Sequence, residues 1–218
     1  MIFNMNIITN YKNIINDVYA INKKVTLIAV SKTYPLSYIK PLIDFGHLDF
    51  GENKVQEALN KWSKILSELT NLKLHMLGKI QTNKAHDVVS LFSYVHSLDS
   101  EKLVLKLSKA EKDLSKKLKY FIQINIGSEI QKSGIQINEL KNFLNFCKKE
   151  NNLNIIGLMC LPPIEIDPVK YFLQLRNMAH ENNFYELSMG MSNDYKAAVE
   201  NGSTFIRIGS KIFGARLS

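Results

Sequence analysis

Val25-Thr26-Leu27-Ile28-Ala29-Val30-Ser31-Lys32-Thr33-Tyr34-Pro35 reads as one buried strand and its exit. A β-branched, apolar run of strand length ends in a lysine, and a threonine and a proline then stop the strand and open a helix. Seven more runs of this kind follow, at 48–53, 72–77, 93–97, 119–126, 153–161, 185–189 and 204–209, with helix-period sequence between them. After the second run, Val55, Ala58, Leu59, Trp62, Ile65, Leu66 and Leu69 recur at three and four, which marks one buried helical stripe. Eight strands alternating with helices, with no consecutive hairpins, require parallel strands joined by crossovers. In ~200 or more residues that is the pattern of a closed (β/α)8 barrel, an α/β fold of the TIM type. An open doubly wound sheet would place a glycine-rich turn after the first strand. Ser31-Lys32-Thr33 stands there instead, and no GxGxxG occurs in the chain.

One extra helix precedes the barrel. Ile7, Tyr11, Ile14, Ile15, Val18 and Ile21 recur at helical spacing within 1–24, so a single domain over 1–218 is expected, with this helix packed on the barrel. The same segment is rich in Asn, Asp and Lys and lacks the apolar centre of a secretory signal, and no apolar run approaches membrane-spanning length. The chain is therefore expected in the cytoplasm, off the membrane. Its 45% hydrophobic and 22% charged residues are ordinary for a soluble domain. Both cysteines, Cys147 and Cys160, sit inside apolar patterns without metal-ligand spacing and read as reduced and buried; no metal site is expected.

A net charge of +8 invites a nucleic-acid reading. Arg176, Arg207 and Arg216 are the only arginines, however, and bidentate phosphate or base recognition favours arginine over lysine. A basic RNA-binding module also needs exposed stacking aromatics, and this sequence puts its aromatics mainly at core spacing. No nucleic-acid partner is expected.

In a parallel barrel the strand exits converge on one face, where active sites are built. The exits here carry Lys32, Asn53, His75, Asn125, the stretch from Ser188 to Ser192, and Arg207 with Gly209 and Ser210. Lys32 alone reads in two ways. It is a strand-end lysine that snorkels to water, or an amine whose desolvation lowers its pKa and lets it take an aldehyde as a Schiff base. The loops after strands seven and eight are the usual phosphate site of such barrels. There Ser192, Asn193 and Asp194 open a short helix, either as ordinary capping or with N–H groups aimed at an anion. Arg207 interrupts an apolar strand, where an unpaired guanidinium costs several kcal/mol, roughly. Pairing with Glu52 is its structural alternative. Taken together, an amine, a phosphate cradle and an arginine match pyridoxal 5′-phosphate: the aldehyde goes to Lys32, the phosphate to the cradle and the pyridine nitrogen to Arg207.

Longer motifs run in order from strand one to the C-terminus. They are Ala29-Val30-Ser31-Lys32-Thr33, Phe50-Gly51-Glu52-Asn53 with Val55-Gln56-Glu57-Ala58, His75 with Gly78, and Gln81-Thr82-Asn83-Lys84. After these come His96-Ser97, Lys132-Ser133-Gly134, Leu187-Ser188-Met189-Gly190-Met191-Ser192, and Arg207-Ile208-Gly209 with Ile212-Phe213-Gly214. In these motifs the chain resembles the pyridoxal phosphate homeostasis protein family. The resemblance implies a monomeric barrel like the N-terminal domain of alanine racemase, holding pyridoxal phosphate on Lys32. It also implies that Ser192, Gly209 and Ser210 hold the phosphate, that Arg207 faces the pyridine nitrogen, and that Asn53 and His75 line the pocket. Family members look like carriers that buffer the vitamer and deliver it, with apo-enzymes that need the cofactor as their partners. Three positions depart from the family pattern: Tyr34 stands where a second lysine is frequent, Leu74 where an aromatic usually precedes the histidine, and Lys54 where a tyrosine is frequent. Lys132 is then the remaining candidate for a second amine.

The rival reading is an amino-acid racemase. Racemisation needs a base on each face of the substrate carbanion, and in alanine racemase the second comes from a separate β-domain and a partner subunit. No such domain is expected after strand eight. An arginine opposite the pyridine nitrogen also leaves the ring a poorer electron sink than a carboxylate would. Carriage without turnover is expected over catalysis.

Overall fold

The computed structural model describes residues 2–129, 131–163 and 166–214, with side chains from residue 6 onward. Eight strands run through it: β1 (Thr26–Val30), β2 (Asp49–Glu52), β3 (Lys73–Met76), β4 (Tyr94–Leu98), β5 (Lys119–Ile124), β6 (Ile155–Cys160), β7 (Glu186–Met191) and β8 (Phe205–Ile208). They pair in sequence order, all parallel, and β8 closes on β1. This is the (β/α)8 barrel that the alternating runs predict. The helices are α1 (Ile2–Ile21), α2 (Leu36–Asp44), α3 (Val55–Glu68), α4 (Ala85–Leu91), α5 (Glu101–Leu114), α6 (Leu140–Asn145), α7 (Val169–Glu181), α8 (Tyr195–Glu200) and α9 (Ser210–Phe213).

Period-two alternation sorts the strand residues into two layers. Leu27, Ala29, Phe50, Leu74, Ile206 and Ile208 face outward and join the helices in the main core, whereas Ile28, Tyr94, Phe121, Met159 and Phe205 fill the barrel. The filling is partly polar. His75, His96, Ser188 and Arg207 are buried among those inner residues.

The barrel's own last helix, α9, is only 4 residues long, and α1 packs against it and against α2 and α8. Ile7, Ile14 and Val18 are buried, Tyr11 and Ile15 are half-buried, and Asn10 Nδ2 donates to Ile212 O at 3.2 Å. Tyr195 Oη donates to Asp17 Oδ2 at 2.7 Å, and Lys196 Nζ pairs with the same oxygen at 2.9 Å. The periodicity assigns Ile21 to the same buried face, but it is 41% exposed. It is the last residue of α1, where the chain leaves the helix for the turn into β1.

His47 joins α1 to the barrel. Its Nδ1 lies 3.2 Å from Tyr11 Oη, its Nε2 2.8 Å from Asp49 O, and its ring meets Tyr11 and Phe50 edge-on. Burial pushes its pKa down to about 4. An unfolded histidine titrates near ~6.5, so below that pH the unfolded chain takes up a proton that the folded chain does not. Stability is expected to fall as the pH drops from about 6.5 to about 4, by about 3 kcal/mol from this group, and to level off below. Urea midpoints across that range check it, because His47→Gln is expected to lose the matching part of the slope.

Among the described residues no helix is long and apolar enough to cross a membrane. Cys147 and Cys160 are free thiols, and burial pushes the pKa of each up to about 12.

Candidate functional site

The C-terminal ends of the strands open into a cavity of about 720 Å³, and Lys32, Asn53, Ser192, Arg207, Gly209 and Ser210 are on its wall. Alternation explains most of this gathering. Ile28, Val30 and Lys32 share the inward parity of β1 and its exit, Gly51 and Asn53 that of β2, and Phe205, Arg207 and Gly209 that of β8.

His75 does not line the cavity. It pairs with Gly51, one layer below Asn53, and the residue beyond β3 that reaches the wall is Leu77. From the sequence His75 is grouped with the strand exits, but it lies within the 72–77 run, and in the structure it is inside β3 and fully buried in the barrel. Asn125, at the exit of β5, serves its own loop: Oδ1 accepts the Glu129 N–H at 3.1 Å and Nδ2 donates to Glu129 O at 2.9 Å.

Arg207 is 5% exposed, with Nη1 donating to Ser188 Oγ at 2.6 Å and Nη2 to Cys160 O at 3.0 Å. Burial pushes its pKa down, opposed by Cys160 and Asp194. The β7–β8 register shifts between Ser188, opposite Phe205, and Met191, opposite Arg207, so Ser188 is the diagonal inward neighbour of the arginine. Gly190 lies within that shift at φ +92°, where a Cβ would sit 2.5 Å from the Ala198 Cβ. Glu52, the alternative partner for Arg207, faces outward and has other partners. Its Oε1 accepts from Ser31 Oγ at 2.7 Å and from Lys61 Nζ and Trp62 Nε1, each at 2.9 Å.

The loops after β7 and β8 are tied together where Ser210 Oγ donates to Ser192 Oγ at 3.1 Å. Asp194 is the residue before α8, and its Oδ1 accepts the Met191 N–H at 2.6 Å, which closes the turn that carries Ser192 and Asn193 on the wall. Gly209 packs against β1, with a Cβ there only 3.2 Å from Val30 O.

A buried ion pair that the sequence reading missed braces the turn that carries Lys32. Lys61 on α3 donates Nζ to Ser31 O at 2.8 Å, to Glu52 Oε1 at 2.9 Å and to Glu57 Oε1 at 3.1 Å. Glu57 Oε1 also accepts the Thr33 N–H at 2.5 Å, and holds Thr33 at φ +69°, an uncommon conformation for a β-branched residue. The signal that could have found it is Glu57 and Lys61 four apart on one helix face. Tyr34 is buried, its Oη donates to Gly214 O at 2.7 Å, and its ring stacks on Tyr38. Lys132 pairs with Glu129 and lines a different depression with Lys79 and Asp99.

The family model for the alanine racemase N-terminal domain matches residues 5–217. The pyridoxal phosphate homeostasis protein of Escherichia coli (strain K12) is 39% identical over 204 residues, which span 89% of this chain and 87% of that one. The chain belongs to the pyridoxal phosphate homeostasis protein family. The family member from Synechocystis sp. is 37% identical over 202 residues, 88% of this chain and 92% of its own. PipY of Synechococcus elongatus, solved without PLP, superposes with a TM-score of 0.82 at 36% identity, over 88% of this chain and 93% of PipY. PipY with PLP bound gives 0.80 at 35% identity over the same 88% and 93%. An alanine racemase from Clostridium difficile shares the fold alone, with a TM-score of 0.73 at 13% identity over 98% of this chain and 57% of the racemase.

Proposed function

We propose that this family member binds pyridoxal 5′-phosphate in the cavity at the strand C-termini and acts in its homeostasis, buffering the cofactor and delivering it to apo-enzymes. PipY, 35% identical, carries PLP in its solved structure, and relatives at 37–39% identity bear the homeostasis name. The observation that carries the reading is one wall with an amine, a buried guanidinium and two serine loops tied to each other.

The donor set suits the cofactor. A guanidinium has five N–H donors, and two of its groups are anchored on Ser188 and Cys160, which steadies the rest for an acceptor such as a pyridine nitrogen. Ser192, Gly209 and Ser210 offer hydroxyl and backbone N–H groups to a phosphate, and Asn53 adds a side-chain amide. When bound, the cofactor would supply an aldehyde that condenses with a primary amine, and Lys32 is the amine on that wall. Arg207 donates and never accepts, so it leaves a pyridine nitrogen unprotonated, which favours carriage over racemisation.

Adding pyridoxal phosphate to the purified protein, reducing with borohydride and mapping the modified peptide tests the reading. A yellow band and a label on Lys32 are expected. A label scattered over surface lysines, or none, overturns it. Assay of D/L exchange on the loaded protein separates carriage from racemisation, with no exchange expected.

A further inference from the structure

A file of polar side chains runs through the barrel from Arg207 to the opposite ends of the strands. Arg207 Nη1 lies 2.6 Å from Ser188 Oγ, Ser188 Oγ 2.8 Å from His96 Nδ1, His96 Nε2 3.0 Å from His75 Nδ1, and His75 Nε2 3.1 Å from Asp49 Oδ1. Ser188, His96 and His75 are wholly buried, whereas Asp49, the first residue of β2, keeps 20% of its side chain exposed. Among the described residues no three or more His, Cys, Asp or Glu side chains are grouped so as to hold a metal ion.

Both ends of the file are chemically determined. A guanidinium only donates, and an ionised carboxylate only accepts. Asp49 therefore takes its hydrogen bond from Nε2–H of His75, and in a neutral ring that leaves His75 Nδ1 to accept from Nε2–H of His96. His96 Nδ1 in turn accepts the Ser188 hydroxyl, whose oxygen accepts from Arg207. With both rings neutral, every proton points from the cavity toward Asp49.

The surroundings favour this one order. His75 stacks on Tyr94 and His96 on Phe121, each at a centroid distance of 4.4 Å, so neither ring is free to turn over. Burial pushes the pKa of His75 down against the opposing Asp49 hydrogen bond, with Lys73 also lowering it. Burial, then His75 and Arg207, push that of His96 down. Burial works to raise the Asp49 carboxyl, but the His75 hydrogen bond, with His75, Lys73 and His47 nearby, carries the net shift downward. Among the described residues no carboxylate forms an ion pair with Arg207, although Asp194 acts on it at longer range. Aligned donors polarise one another, and that is how a carboxylate at the far end supports a buried cation.

We propose that Asp49, His75 and His96 are positioning residues for Arg207: a one-way hydrogen-bonded file that locks both histidines as Nε2–H tautomers and holds the guanidinium in the cavity wall. Its bearing on the cofactor rests on the reading of Arg207 as the group that faces the pyridine nitrogen. The proton order itself does not.

Nitrogen-15 NMR of the histidine side chains, in protein without added cofactor, reads that order directly. His75 and His96 are expected as neutral Nε2–H tautomers from about pH 6 to about pH 8. An Nδ1–H tautomer or an imidazolium at either ring overturns the proposal. In Asp49→Asn the terminal group can donate as well as accept, so the direction is no longer imposed. Mixed tautomers are then expected at His96 as well as His75, although Asp49 bonds only His75 of the two. A change confined to His75 is local packing and overturns the proposal. Ser188→Ala is the second variant: the order imposed from Asp49 survives, both tautomers stay Nε2–H, and their loss there also overturns the file. Pyridoxal phosphate titrated onto Asp49→Asn is expected to bind roughly tenfold more weakly, with a displaced absorption band. Wild-type protein that shows the tautomer order but takes up no pyridoxal phosphate refutes the cofactor reading and supports the file.

Discussion

Lys32→Ala protein is expected to fold, to bind pyridoxal phosphate reversibly, and to take up no borohydride-fixed label. Lys32 stands two residues past the end of β1, half-exposed on the cavity wall, and around it Ser31 bonds to Glu52, Thr33 to Glu57 and Tyr34 to Gly214. Truncation removes the amine, and these neighbouring bonds remain to hold the turn. The wall still offers Arg207 and the serine loops, so binding persists without the covalent bond, weaker by roughly a hundredfold or more. The absorption band of the condensed amine disappears, and that of the free aldehyde remains. In a chain with 28 Lys and Arg, the control is dose. A label on exposed lysines grows with reagent, whereas a site label saturates at one per chain. Saturating uptake by Lys32→Ala protein would move the reactive amine elsewhere, and Lys132 would be the next to replace.

The largest loss of stability is expected at Glu52. Its Oε1 collects Ser31 Oγ, Lys61 Nζ and Trp62 Nε1 in a site where the Glu52 side chain has no exposure and that of Lys61 only 7%. Glu52→Ala leaves an ammonium, an indole N–H and a hydroxyl buried around an empty position, at a cost of about 3–5 kcal/mol. In a protein of this length ~1 kcal/mol moves Tm by about 2–4 °C, so melting followed by circular dichroism is expected to fall by roughly 10 °C. Glu52→Gln keeps an acceptor for Trp62, and Lys61 keeps Glu57, so its loss is smaller. The double replacement Glu52→Leu with Lys61→Met is expected to recover the part of the loss due to the unpaired ammonium, while the Trp62 N–H and the Ser31 hydroxyl still lack their acceptor. A loss below ~1 kcal/mol in Glu52→Ala would be that of an exposed pair and would contradict a buried one. Glu57 also holds the Thr33 N–H, so a weakened Lys61 loosens the turn next to Lys32. Slower labelling of Lys32 is the accompanying change.

Much of the wall could be read from residues alone. Lys32, Asn53, Arg207, Gly209, Ser192 and Ser210 follow strand runs that are well marked in the sequence, and in a parallel barrel all exits share one face. His75 was misplaced for a physical reason. It lies inside the 72–77 run and not at its end, and the pairing of His75 with Gly51 sets it one layer below Asn53, inside the barrel. Arg207 shows the same limit. Its burial in an apolar run announced that it needed partners, but the nearest candidate by eye, Glu52, points to the helices. Ser188 and Cys160 O, from β7 and β6, take that role.

By itself the sequence determined the eight strands, their parallel sense and the polar face, because strand period, helix period and the lack of hairpins are local properties of the chain. Only the tertiary structure decided which polar residues touch. The register shift between β7 and β8 brings Ser188 to Arg207, the register of β2, β3 and β4 sets His75 beside His96 and Asp49, and α3 swings Lys61 under the turn of Lys32. Each of these contacts spans strands or helices set side by side by closure and stagger, and no local pattern along the chain carries that information.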